Sequence, residues 1–138
     1  MKKSKLLAVF LVVSLIFAML THSVFAAKNS TQGTLNPDLS YYAFVAISDD
    51  FASAISQLSC SSNARIQSAT DCRALTDSNT MVMDSDFGPE DTYQANNTVN
   101  CIGDDGDIFV AAFSDHHFYR NGSLVDTVSV NVYLGEDR

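Results

Sequence analysis

The dipeptide Asn121-Gly122 lies between two stretches that both read as strand, and it constrains the fold more than any other part of the chain. From Leu124 to Leu134 the residues alternate. Leu124, Val128, Val130, Val132 and Leu134 fall on one side, and Val125, Thr127, Ser129, Asn131 and Tyr133 on the other. Ile108 to Phe113 is apolar on both faces, as a covered central strand would be. Asn-Gly is the preferred pair for a two-residue type I′ turn, so a long closing hairpin is expected. A two-residue turn also implies a register: Tyr119 opposite Leu124, His117 opposite Asp126, Asp115 opposite Val128, Phe113 opposite Val130 and Ala111 opposite Val132.

Upstream, Asn36 is a good helix N-cap, Pro37 suits the first helical position and Asp38 complements the positive helix end. Tyr41, Phe44, Ile47, Phe51, Ala54, Ile55 and Leu58 recur at spacings of three and four, which predicts an amphipathic helix of up to about six turns. A strand from Tyr41 to Ile47 followed by a shorter helix, capped by Ser48 or Asp49, competes with it. Residues 60–80 are polar and irregular, with one helical turn around Asp71 to Leu75. Short strands are expected at Thr80 to Met83 and at Thr92 to Cys101, the second interrupted at Asn96-Asn97. The expected fold is α+β, one amphipathic helix on a mainly antiparallel sheet of about four strands that ends in the long hairpin.

Lys2, Lys3 and Lys5, the apolar run from Leu6 to Leu20 and the small residues around Val24-Phe25-Ala26 have the form of a secretory signal peptide cut after Ala26. The run is short of the about 20 apolar residues that a membrane anchor needs. The expected organisation is a signal peptide over 1–26, a flexible polar lead-in over 27–35 and a single domain over 36–138. The protein is then secreted, periplasmic or at the cell surface, and meets a membrane only through the signal peptide during export. Cleavage leaves 112 of the 138 residues, with five basic side chains against sixteen acids and a net charge of −11. That balance argues against nucleic acid, whose phosphates need a basic surface.

Export would carry Cys60, Cys72 and Cys101 to a compartment where disulfides persist. Cys60 and Cys72 enclose the polar segment from Ser61 to Asp71 and are the expected bridge, leaving Cys101 buried and free or linked to another chain. Zinc is disfavoured, because there is no Cys-x-x-Cys pair and the only histidines after the leader are the adjacent His116 and His117.

The hairpin register makes His117, Asp126 and Asp115 a candidate polar site, an imidazole with two carboxylates suited to general-base or metal chemistry. The competing reading is an ordinary cross-strand pair. Asp104, Asp105 and Asp107 on a Gly-containing turn form a candidate weak Ca²⁺ site, and Asp84, Asp86 and Glu90 a second acidic cluster. Nucleophile-elbow, phosphate-loop, redox and metalloprotease motifs are lacking, so no catalytic residue and no cofactor are assigned. The ending from Gly122 to Tyr133 resembles the closing strand of secreted fimbrial subunits of the spore-coat-U type over twelve residues. The order of two cysteines around a loop, a third cysteine and a closing hairpin is similar to subtilisin-inhibitor-like secreted proteins, without their fourth cysteine. Neither resemblance assigns a family. The expected function is a secreted, non-enzymatic protein-interaction or surface-assembly protein, whose partner is another protein or a further copy of itself. A hydrolase inhibitor presenting the loop from Cys101 to Asp107 comes second, and a small hydrolase using His117 third.

Overall fold

The structure, a computed structural model, describes residues 25–35, 38–48, 53–89 and 92–135. They form seven strands: β1 (Phe25–Leu35), β2 (Leu39–Ser48), β3 (Ser53–Thr76), β4 (Met81–Phe87), β5 (Thr92–Ile102), β6 (Phe109–Arg120) and β7 (Ser123–Tyr133). Every pairing is antiparallel. The 24-residue β3 organises them, because its first half lies between β2 and β5 and its second half between β6 and β4. It changes partners where the β5 ladder shifts between Ser61 and Ile66. Two four-stranded leaves, β1-β2-β3-β5 and β7-β6-β3-β4, therefore share one strand and curl over a common core. The free sides of β1 and β7 meet where Asn29 Nδ2 donates to Asn131 O at 2.8 Å.

The fold is all-β among the described residues, not α+β, and the amphipathic helix is absent. Tyr41 to Ile47 follows its aromatic and β-branched composition into β2, where Leu39, Ala43, Val45 and Ile47 point inward. The three- and four-residue recurrence mixes two strands and two faces. Phe44 and Ile55 lie on the outer side of β2 and β3, and Phe44 packs edge-on against Phe25 at 5.7 Å. Asn36, Pro37, Asp49 and Phe51, on which the caps and the middle of the helix depended, lie outside the described residues.

Residues 60–80 conceal a strand because its inward positions are hydroxyls. Ser56, Ser62, Ser68, Thr70 and Thr76 are buried alternately with Leu58, Cys60, Ile66, Cys72 and Ala74. The helical turn expected at Asp71 to Leu75 is part of that strand. β4 runs on into the acidic stretch as far as Phe87, and β5 passes through Asn96-Asn97 unbroken. Residues 27–35, read as a polar lead-in, form most of β1, with Ala27 buried. Residues 1–24, which hold the apolar run of the expected signal peptide, lie outside the described residues.

The hairpin turn forms as its dipeptide requires. Asn121 and Gly122 take φ of 51° and 75°, the left-handed pair of a type I′ turn. Tyr119 faces Leu124 as expected, but a bulge then places Phe118 opposite Asp126, with Val125 as the extra residue. His117 consequently faces Thr127, Asp115 faces Ser129, Phe113 faces Asn131 and Ala111 faces Tyr133. The reason is packing. Directly opposed residues share a face, so the simple register would have drawn Asp115 and His117 inward beside the valines. With the bulge, Val128, Val130 and Val132 meet His116, Ser114 and Ala112 in the core, and the charged residues face out.

Candidate functional site

The outward alternation of β3, β6 and β7 assembles a polar cluster on one leaf. Asp71 lies opposite Asp115 in the β3–β6 ladder, and Asp115 opposite Ser129 in the β6–β7 ladder. His117 Nε2 is 3.1 Å from Asp71 Oδ2, and its Nδ1 is 3.0 Å from Thr127 Oγ1. Arg73 pairs with Asp115, whose other oxygen accepts from Ser129 Oγ at 2.5 Å. Asp71, Arg73, Asp115 and His117, with Met83, Asp84 and Ser85 of β4, line an open cleft of about 610 Å³. Apolar side chains flank it: Phe87 beside Tyr119 at 6.5 Å toward one end, Phe113 against Tyr133 at 5.8 Å toward the other, and Met81 and Met83 along β4.

Of the sequence-derived trio, His117 and Asp115 share this cluster and Asp126 does not. Asp126 sits at the bulge, where its Oδ1 accepts from Thr127 N at 2.8 Å. The carboxylate that does reach His117 is Asp71, which lies on β3 and not on the expected helical turn. Asp104, Asp105 and Asp107 lie between β5 and β6, where Asp107 Oδ2 accepts from Asp104 N at 3.0 Å and the turn closes on itself. Among the described residues, no group of three His, Cys, Asp or Glu side chains is placed to hold a metal ion.

Asp71, His117 and Thr127 stand in the order orienting acid, base and hydroxyl, which acyl-transfer chemistry uses. The backbone around Thr127 does not complete that arrangement. Its own N–H is taken by Asp126, and it lies within the β6–β7 ladder, whose N–H groups are spent on strand pairing rather than converging on a developing oxyanion.

A second constellation is buried. His116 Nδ1 lies 3.0 Å from Thr70 Oγ1 and its Nε2 2.9 Å from Ser114 Oγ, which in turn bonds Ser56 Oγ. The imidazole is fully covered, and burial pushes its pKa down to about 4, so it is neutral at ordinary pH. Ser68 Oγ donates to Asn97 Oδ1 at 2.6 Å close by, and Asn97 reaches Asp86 at 3.3 Å. The adjacency of His116 and His117 held the missed signal, since strand alternation sends one inward and the other outward.

The expected bridge between Cys60 and Cys72 is not made; all three thiols are free and buried. Both residues lie in β3, twelve positions apart, about 40 Å along a straight strand. Disulfide geometry needs Cα atoms within about 7 Å.

No family model and no curated protein matches the chain. Among solved structures it is similar to a glycosyl hydrolase family 2 member from Bacteroides cellulosilyticus DSM 14838, with 6% identity and a TM-score of 0.37. That alignment covers 80% of this chain and 15% of the other, and a likeness of this size bears on neither activity nor substrate.

Proposed function

We propose that this is an exported, non-enzymatic binding protein that docks another protein on the outer face of β4-β3-β6-β7. The exposed apolar margin of the charged cleft carries the reading: Met83 and Phe87 are 68% and 65% exposed beside a cleft holding three carboxylates and one guanidinium. Monomeric surfaces rarely leave such side chains together unless something covers them. The partner of matching chemistry presents Lys or Arg between apolar side chains, because Asp71, Asp84 and Asp115 outnumber Arg73. The chain's net charge of −8 sets copies of itself in mutual repulsion, which favours a different protein over self-assembly. The signal-peptide pattern before Ala27 is what supports export.

The test is a peptide array carrying Lys or Arg between Leu, Met or Phe residues, with Glu-for-Lys controls. It is probed with wild type and with the Met83→Asp, Phe87→Asp double variant, and light scattering follows concentration. Salt-sensitive binding by wild type that the double variant loses supports the proposal. Equal binding by both proteins, or concentration-dependent growth of wild type alone, overturns it, the second in favour of an assembly subunit.

A further inference from the structure

We propose that Cys72 and Cys101 form an intramolecular disulfide that ties β5 to the β3–β4 ladder across the core. Both residues are wholly buried. Cys101 Sγ lies 3.1 Å from Cys72 O and 3.6 Å from Val82 O, so the β5 side chain reaches across to the opposite leaf at that rung. The two thiols are near enough for each to be the largest influence on the other's ionisation. Cys60 has no comparable partner. In the β3–β5 ladder it stands opposite Ala95, whereas Cys101 stands opposite Ala54, six residues or about 20 Å further along.

The bond would form by thiol–disulfide exchange and be held by the folded contact. In the folded chain each thiol perturbs the other, so that the Cys101 pKa is lowered and that of Cys72 raised, while burial raises both. With β5 undocked either cysteine can be the first thiolate, Cys101 for one. It attacks a low-molecular-weight disulfide such as glutathione disulfide, forms a mixed disulfide and releases one thiolate, which takes up a proton. Cys72, deprotonated in turn, attacks the Cys101 sulfur and expels the second thiol. Two protein thiols lose two protons and two electrons, and the small disulfide gains them as two thiols. Because the closed core covers both sulfurs, exchange takes place before β5 docks or when it opens. The inference rests on the export reading for its occurrence in the cell, since an exported chain meets the oxidising poise that keeps such a bond.

The experiment refolds the purified full chain in glutathione redox buffer, maps its peptides without reduction and compares urea unfolding of the oxidised and fully reduced forms. A linked peptide pair containing Cys72 and Cys101, with Cys60 alkylated only after unfolding, is the expected map. The cysteines are 29 positions apart, so loop closure should lower the unfolding constant by roughly 10²–10³-fold in the oxidised form. Cys60→Ala should keep that redox dependence and Cys101→Ala should lose it. Three alkylatable thiols after oxidative refolding, a bridge through Cys60, or identical unfolding of the two forms overturns the proposal. Wild-type comparison alone decides if a variant does not fold. A separate fractionation of expressing cells tests export, so a bridge formed in vitro by a chain that stays in the cytoplasm would refute the export reading and leave the pairing intact.

Discussion

Acidification should unfold this protein through one residue that the solvent never touches. His116 is fully buried between Thr70 and Ser114, and its pKa falls from the ordinary 6.5 to about 4, chiefly because burial penalises the imidazolium. The carboxylates of Asp115 and Asp71 oppose that shift and His117 adds to it. In the unfolded chain the ring takes its proton first. The contribution of neutral His116 is therefore complete above pH 6.5 and drains away as pH falls toward 4, below which both states are protonated. A shift of that size is worth about 2 kcal/mol between pH 7.5 and pH 5 and about 3 kcal/mol by pH 4. Small domains hold only 5–15 kcal/mol in total, so the loss is large. The assay is urea unfolding across this range for wild type and His116→Gln, whose amide can still bond both hydroxyls but cannot titrate. The stability difference between the two should shrink on acidification by the amounts given. A difference that stays constant from pH 7.5 to pH 5 would refute the buried, neutral imidazole.

Two further outcomes test the register and the outer cluster. Val130→Ala should cost about 1–3 kcal/mol in chemical denaturation, since its side chain is 3% exposed and faces Ser114, whereas Leu124→Ala, at 56% exposure beyond the bulge, should change stability by less than about 0.5 kcal/mol. Equal costs at the two positions would mean that the valine face is misassigned. Ester, peptide and glycoside substrate panels should show no hydrolysis that disappears in both His117→Ala and Thr127→Ala. Turnover lost in both would make Asp71, His117 and Thr127 a working triad despite their open, ladder-bound setting.

The closing hairpin was legible in sequence because three signals coincide there: the Asn121-Gly122 turn, the alternation after Leu124 and the apolar run before Phe113. The rest was not, and the physical reason lies in β3. A strand is normally recognised by apolar residues on its inward face, yet nearly half of the inward face of β3 is Ser and Thr. These hydroxyls are tolerable there because other buried groups satisfy them: Ser56 by Ser114, Thr70 by His116 and Ser68 by Asn97. A pairing between side chains 29 to 58 positions apart cannot be inferred from either segment alone, so the longest strand read as irregular polar chain. The helix stripe failed for a related reason. With aromatic residues on both faces of β2, apolar positions recur at three and four as readily as at two.

The site follows from the same cause. Once β3 is a strand, Asp71 and Arg73 must share its outward face, and that face lies beside β6. The bulge at Val125 then decides which β7 residues join them. Without it, Asp115 would meet Val128 and His117 would meet Asp126, either drawing two ionisable groups into the core or turning three valines out. Burying even one unpaired carboxylate costs several kcal/mol, whereas one unpaired bulge residue near a solvent-exposed turn costs little. That inequality selects the observed register, and with it the partners Thr127 and Ser129 that hold His117 and Asp115 on the outside. The polar cluster is therefore a consequence of keeping Val128, Val130 and Val132 against His116, Ser114 and Ala112. A chain that retained those valines and lost Asp71 would keep its core while losing the acid that faces His117.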